Sequence, residues 1–547
     1  MMKKDARFDF LRSLFFWSMK TQVKSRRRQF LKSFFFGLSA TFSFRVAANA
    51  RDLQNSKIRL TQQIEDHSDT VKSVRTSNPI VIENQKQGTT DWQLTNPATK
   101  QEIEGYASLT SINRGGKISL FVNTNDPTYT IEIFRMGWYD GTGGRRITDK
   151  IALSGIKQPP PVEDKDSGLI ECDWKNPYIL NIPYNSNDAT DWASGVYLAK
   201  LTASKSGKQS YIIFVVRDDA RNSDILFQQS VTTYQAYNNW GNKSLYRWNS
   251  RRIQAYQVSF NRPYSKSPNP AAAYGVGAGE FLTNFQPTSR TSTAGWEYNM
   301  VRWLEKSGYD VSYATNIDTH ANHNLLLSHK AFLSVGHDEY WSWQMRENVE
   351  TALKNKVSLG FFGANTCFWQ IRLDLSPITK VPYRTIIAYK ENAALDYYQD
   401  HRNTTLWRQS PVQRPEDALI GVMYDSDPVD DEIVIDNAPA WLLSNTSLTK
   451  GSVLPGLLGY EVDRMFGNAP ANTIRVAHSP YRYKGRTRYA DMTVYTASSG
   501  ATVFATGSMQ WVWSLDDYNA PKLRSSRLNL DAQQMTHNVL ARLLKIV

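Results

Sequence analysis

Residues 331–362 read AFLSVGHDEYWSWQMRENVETALKNKVSLGFF. Ala331 to Gly336 is short and apolar but for Ser334, which predicts a buried strand. Trp341 to Lys354 predicts a helix, and Val357 to Phe362 a second buried strand. Strand, helix and strand in so few residues form the crossover unit of a parallel sheet, in which helices cover both faces.

The same alternation extends outward from this unit. Ile225-Leu226-Phe227 opens a strand, Tyr298 to Glu305 has helical spacing and stops at Gly308, and Tyr309 to Ala314 reads as another strand. A β-rich stretch over about 380–515 interrupts the pattern, and Ala532 to Leu544 closes the chain as an amphipathic helix. Upstream, residues 85–220 carry short alternating runs broken by Gly, Pro and Asn. Lys117–Val122, Tyr129–Phe134, Gly195–Lys200 and Ser210–Val216 are the clearest of them. The expected α/β fold is therefore an immunoglobulin-like β-sandwich over 85–220, then a doubly wound α/β domain over 221–547 (amidotransferase-like or flavodoxin-like) with an additional β-rich portion. Residues 51–84 read as a linker, and Trp138 to Gly144 as a structural glycine-rich turn.

The first fifty residues have a different chemistry. Arg26-Arg27-Arg28-Gln29-Phe30-Leu31-Lys32 is a twin-arginine block, Ser33 to Phe44 a short apolar stretch, and Ala48-Asn49-Ala50 a cleavage site. Residues 1–50 are expected to be a signal that exports the folded chain to the periplasm or beyond, with no stable membrane span after cleavage. The apolar stretch is shorter than the roughly 20 residues a span requires. Eleven of the Lys and Arg residues lie in this leader against two Asp, so most of the net +13 belongs to it and about +4 remains on the rest. Nucleic acid is not an expected partner. Cys172 and Cys367 allow at most one disulfide and no cysteine metal site, and Cys367 is expected to be an inert buried thiol.

Ligands of an open parallel sheet bind beyond the carboxyl ends of its strands. Three polar clusters are expected there: Thr233 to Gly241, Gly336 to Trp341, and Gly363 to Thr366. A fourth, Gly459 to Arg464, lies in the β-rich part. There is no G-x-S-x-G elbow, H-E-x-x-H or Walker loop. The acidic run Asp425 to Glu432 is expected to be a solvated loop, and His320, His323 and His329 to be surface histidines.

Taken together, the clusters resemble the C-terminal part of the N,N-dimethylformamidase large (beta) subunit, over about residues 205–547. The resemblance rests on Tyr-x-Ala-Tyr at 234–237, Arg-Pro at 262–263, Gly-His-x-Glu-Tyr at 336–340, Ala-Asn at 364–365, Gly-Tyr-Glu-x-Asp-Arg at 459–464 and Val-Phe-Ala-Thr-Gly-Ser-Met-Gln-Trp at 503–511. It implies one Fe(III) ion held by Tyr237, Tyr246 and Glu339, with Tyr234 and Tyr256 as alternatives to Tyr246. It further implies catalytic roles for Glu461 as base, for His337 beside the metal and for Asn365 toward a developing oxyanion. The implied activity is hydrolysis of an amide or related C–N bond, with a second subunit or a second copy as partner. The family enzyme has a larger N-terminal region and is cytoplasmic in type, so the substrate of an exported relative is open. A cell-envelope protein that binds glycan or peptide without catalysis is the alternative, and a glycan hydrolase using Glu339 and Glu461 is a third reading.

Overall fold

The computed structural model describes residues 78–285 and 294–545. The leader expected over 1–50 and most of the linker expected over 51–84 lie outside them. The last residues of that linker do not behave as one. Asn78 caps a short helix, Pro79–Asn84, by accepting from the Ile80 N–H. Its Glu83 is fully buried and ion-paired to Arg145, because the neighbouring sheet presents a cation to it.

The described residues form a mixed α/β structure dominated by strands. Its first part holds two large sheets and a two-stranded one, Val162–Glu163 with Ile170–Glu171. One large sheet runs Ile103–Ala107, Lys117–Thr124, Tyr178–Asn181, and the other Ser111–Asn113, Gln209–Arg217, Gly195–Ala203, Thr128–Met136, Gly144–Arg146. Lys117–Thr124 alternates exposed and buried positions, so only one of its faces is covered. Ile118, Leu120 and Leu180 from the first sheet meet Ile131, Leu201 and Phe214 from the second in one core. Gly195–Ala203 is buried on both faces, because Val196 and Leu198 on its far side pack into the core of the α/β part. Two buried groups tie these layers together: Arg135 and Glu305 pair at 2.8 Å with no solvent exposure. The turn at Trp138 to Gly144 is structural. Trp92 donates its indole N–H to the Thr142 carbonyl, and Gly143 sits at φ +88° where a Cβ would strike the Tyr298 hydroxyl.

The second part is built on a seven-stranded sheet. In spatial order it runs Val311–Thr315, Ile225–Gln229, Ala331–His337, Ser358–Ala364, Thr502–Ala505, Arg486–Thr496, Ile474–Tyr483. The first five strands are parallel, and counted along the chain they lie in the order 2-1-3-4-5; the last two join antiparallel. Ala331–His337 and Ser358–Ala364 are buried at every position, which is why each reads as an almost continuous apolar run. The helix expected from Trp341 spans Trp343–Lys354 instead. Tyr340–Ser342 first pairs with Trp369–Asp374 as a short strand, and Ser342 then caps the helix by accepting from the Met345 N–H.

The acidic run is not a loop. It lies in the strand Met423–Val434, paired with Val453–Arg464. Asp425 is buried between Arg464 and Arg488, both at about hydrogen-bonding distance (2.9 and 2.8 Å), whereas Asp430 and Glu432 face solvent. Cys172 and Cys367 are free, buried thiols, and the Cys367 thiol is pushed up by burial. His323 is exposed as expected, but His329 is buried against Ser223. Among the described residues no helix is long and apolar enough to cross a membrane.

Candidate metal centre

Four of the six residues expected in the site sit just beyond the carboxyl ends of neighbouring parallel strands. Tyr237 ends the helix Val231–Tyr237 that follows Ile225–Gln229. His337 ends Ala331–His337, Glu339 lies two residues later, and Asn365 directly follows Ser358–Ala364. Tyr246 comes from the loop after Tyr237, and Glu461 reaches in from the strand Val453–Arg464.

The three expected ligands converge. The Tyr237 hydroxyl is 2.8 Å from Glu339 Oε2, the Tyr246 hydroxyl is 3.0 and 2.9 Å from the two Glu339 oxygens, and the two hydroxyls are 2.7 Å apart. A further phenol, Tyr340, lies 2.6 Å from the Tyr246 oxygen. Five short O···O contacts thus share three hydroxyl protons, and a carboxylate brings none. Hydrogen bonding alone leaves one of these contacts, between the Tyr237 and Tyr246 oxygens, as lone pair facing lone pair, because one Tyr246 proton can be shared by both Glu339 oxygens. A cation among the oxygens removes that conflict. Donors at right angles on metal–oxygen bonds of about 2.0 Å lie about 2.8 Å apart, against about 3.3 Å for a tetrahedral arrangement. The observed spacings of 2.6–3.0 Å are compatible with the former and are equally those of ordinary O–H···O hydrogen bonds.

The electrostatics agree with this reading. Burial, and then the Glu339 charge, push both the Tyr237 and Tyr246 phenols well above their ordinary pKa. Without a cation both stay protonated and donate to Glu339. Phenolate and carboxylate are hard oxygen donors, and only a strongly charged ion would draw two protons out of so buried a place. Among the described residues no group of three or more His, Cys, Asp and Glu side chains could hold a metal, so the phenols are what complete a donor set here.

Around the oxygens lie groups without partners. His337 Nδ1 is 3.2 Å from Glu280 Oε2, which turns Nε2 toward Glu339 Oε2 at 3.2 Å and Glu461 Oε1 at 3.9 Å. Neither contact is aligned as a hydrogen bond, so Nε2 is buried and unbonded, as are Glu461 Oε2 and Asn365 Oδ1. Burial would lower the His337 pKa, but Glu461, Glu280 and Glu339 together raise it well above the usual value. Burial raises Glu461, against the opposing pull of His337. Asn365 adopts a left-handed conformation, φ +56°, which an asparagine tolerates, and its N–H is held by Asp463 at 2.8 Å. Its amide lowers Glu461 rather than standing free.

The alternatives to Tyr246 are occupied elsewhere: Tyr234 donates to Glu297, and the Tyr256 ring stacks on Tyr389. Three site residues escaped the sequence reading. Tyr340 stood in a quoted motif without a role. Glu280 and Lys390 stood in no motif. The Lys390 ammonium is buried 3.4 Å from the Tyr246 ring centroid and donates to the Tyr340 hydroxyl.

Comparison with known proteins bears on the same stretch. Residues 130–524 match the family described as N,N-dimethylformamidase beta subunit-like, C-terminal. A curated relative from Alcaligenes sp, the N,N-dimethylformamidase beta subunit, is 22% identical over 294 residues, covering 45% of this chain and 39% of that protein. The chain therefore matches about two-fifths of the relative's length. Among solved structures, the mmIFT52 N-terminal domain aligns at 12% identity with a TM-score of 0.24, over 44% of this chain and 86% of that one; so low a score carries no argument. The family match spans most of the sheet and every residue of the oxygen cluster, and the chain belongs to the N,N-dimethylformamidase beta subunit-like C-terminal family.

Proposed function

We propose that the chain is an exported, metal-dependent hydrolase of an amide or related C–N bond, with one Fe(III) ion held by Tyr237, Tyr246 and Glu339. The observation that carries the reading is the crowding of those three oxygens within 3.0 Å of one another. When bound, the ion supplies Lewis acidity toward a carbonyl oxygen and toward water. Glu461, raised by burial and facing the cluster, is placed to take a proton from the attacking water and pass it to the leaving nitrogen. His337 holds Glu339 and Glu461 apart through one edge while Glu280 fixes its other nitrogen. Asn365 orients Glu461 and keeps an unbonded carbonyl for a substrate N–H.

In this reading the two large N-terminal sheets are an immunoglobulin-like sandwich, and the 2-1-3-4-5 strand order belongs to a flavodoxin-like, doubly wound core. The twin-arginine leader carries the folded chain to the periplasm or beyond. The relative is described as a beta subunit, which supports a second subunit here too. A binding protein without catalysis has less support, because binding does not require five oxygen contacts around three protons.

Iron per chain and the visible spectrum test the proposal, measured on protein purified from iron-replete cells. Phenolate-to-iron charge transfer should colour it, and Tyr237→Phe and Tyr246→Phe should each shift and weaken the band. Colourless, iron-free wild-type protein would overturn the proposal.

A further inference from the structure

A cavity of about 390 Å³ opens beside the oxygen cluster without including it, at the seam between the N-terminal sheets and the α/β part. Its size suits one or two sugar rings or a short peptide. Three features of its wall show that it is built for a ligand. Ser210 is 1% exposed, and its hydroxyl has no partner. Glu104 is 7% exposed, accepts from the Trp240 indole N–H at 2.7 Å, and is pushed up to about 7 by burial. Trp248 presents a ring 48% open to solvent. A buried hydroxyl without a partner is uncommon in a protein left to itself. An open indole at a cavity wall is a flat apolar surface with nothing on it.

The chemistry of this wall selects the ligand. Most of the polar groups are amides and hydroxyls such as Gln101, Asn249 and Ser210; the one carboxyl lies near neutrality, and the two cations of the lining, Lys100 and Lys266, are exposed to solvent, so no strong charge is enclosed with a ligand. An open aromatic face beside many neutral hydrogen-bonding groups complements a pyranose ring, whose C–H face is apolar and whose rim carries hydroxyls. Two residues of the wall also touch the proposed metal ligands. The Trp248 and Tyr246 ring centroids are 5.9 Å apart, and the Asn249 amide donates to the Tyr237 carbonyl at 3.0 Å. We propose that this cleft is a subsite for a neutral saccharide, and that the C–N bond presented to the metal centre is borne by a sugar. The inference rests on the hydrolase reading only for its second half.

Tryptophan-fluorescence titration of the purified full chain with N,N′-diacetylchitobiose and with cellobiose tests the subsite. Both sugars should give a saturable response. Trp248→Ala should weaken it at least tenfold with an unchanged circular dichroism spectrum, and Gln101→Ala should weaken it less. Glu339→Gln should strip the metal and leave sugar binding within twofold, which separates this test from that of the metal reading. No saturable response up to 20 mM (roughly the weakest useful affinity), or a response indifferent to Trp248→Ala, would overturn the subsite. So would saturation by a dialanine control but by neither sugar. Acetate release from N,N′-diacetylchitobiose by the metal-loaded chain, abolished by Trp248→Ala, is the result expected for the second half; sugar binding with no turnover of any N-acyl or N-glycosyl sugar overturns that half.

Discussion

Arg262→Gln should dislodge the two phenols without touching either. Arg262 is 1% exposed and has no carboxylate partner among the described ion pairs; its guanidinium donates to the carbonyls of Asn238 at 2.9 Å, Trp240 at 3.0 Å and Lys243 at 2.8 Å. All three carbonyls lie in the eight residues that connect Tyr237 to Tyr246. Hydrogen bonds from a charged donor are worth about 1.5–3 kcal/mol net each, and burying the cation offsets part of the sum. The net loss should be about 3–5 kcal/mol. If about 2 kcal/mol of it falls on the arrangement of the phenols, iron retention should weaken about thirtyfold. Urea unfolding followed by fluorescence reads the first quantity; iron per chain after dialysis against citrate reads the second. Arg262→Lys, which keeps the charge but reaches fewer carbonyls, should fall between. A glutamine variant with wild-type stability, iron content and spectrum would refute the reasoning.

Other perturbations address separate parts of the molecule. Lys390→Met removes a cation 3.4 Å from the Tyr246 ring, so the phenolate electrons should be held less tightly and the charge-transfer band should move to longer wavelength; an unmoved band in an iron-loaded variant would sink this assignment. Arg135→Met strands a fully buried Glu305 and should destabilise the chain by about 3–5 kcal/mol, which urea unfolding would detect. Glu297 is a pH-dependent burden, because burial raises its pKa from 4.5 to about 8 despite hydrogen bonds from Tyr234 and the Ser230 N–H. Below pH 4.5 both folded and unfolded states hold the proton. As pH rises toward 8 only the unfolded state releases it, and stability falls by about 4–5 kcal/mol. Glu297→Gln should flatten that decline, and unfolding curves at pH 5 and pH 8 that differ equally in both proteins would contradict it.

What was legible in the sequence was local. Ala331–His337 and Ser358–Ala364 could be read because strands buried on both faces leave unbroken apolar runs, and His337, Glu339 and Asn365 follow those runs directly. Tyr246 carries no such signal, since it lies in irregular chain whose place is set by Arg262 and by Lys390 far along the sequence. Glu280 and Lys390 were invisible for the same reason: a lone charged residue in a loop looks solvated until its partners are known. Asp425 misled in this way. Its burial depends on Arg464 and Arg488, contributed by strands 39 and 63 residues downstream. The helix start at Trp343 was missed because pairing by Tyr340–Ser342 prevailed over the helical pattern.

The charges of the proposed ligands argue for the valence of the proposed ion. With both phenols ionised, the three proposed ligands Tyr237, Tyr246 and Glu339 carry one negative charge each. The sum is three negative charges in a site from which water is largely excluded, where uncompensated charge is costly. A trivalent ion brings the sum to zero, whereas a divalent ion leaves one negative charge that a retained proton must cancel. Apo protein offered equal gallium(III) and zinc(II), neither of which has redox chemistry to confuse the result, should therefore keep gallium. Zinc uptake should release one proton fewer and therefore weaken less steeply than gallium uptake as the pH falls, because binding that expels fewer protons competes with fewer of them. Preferential retention of zinc, with equal proton release for the two ions, would mean that the phenols do not ionise together and that the two-tyrosinate centre is misassigned.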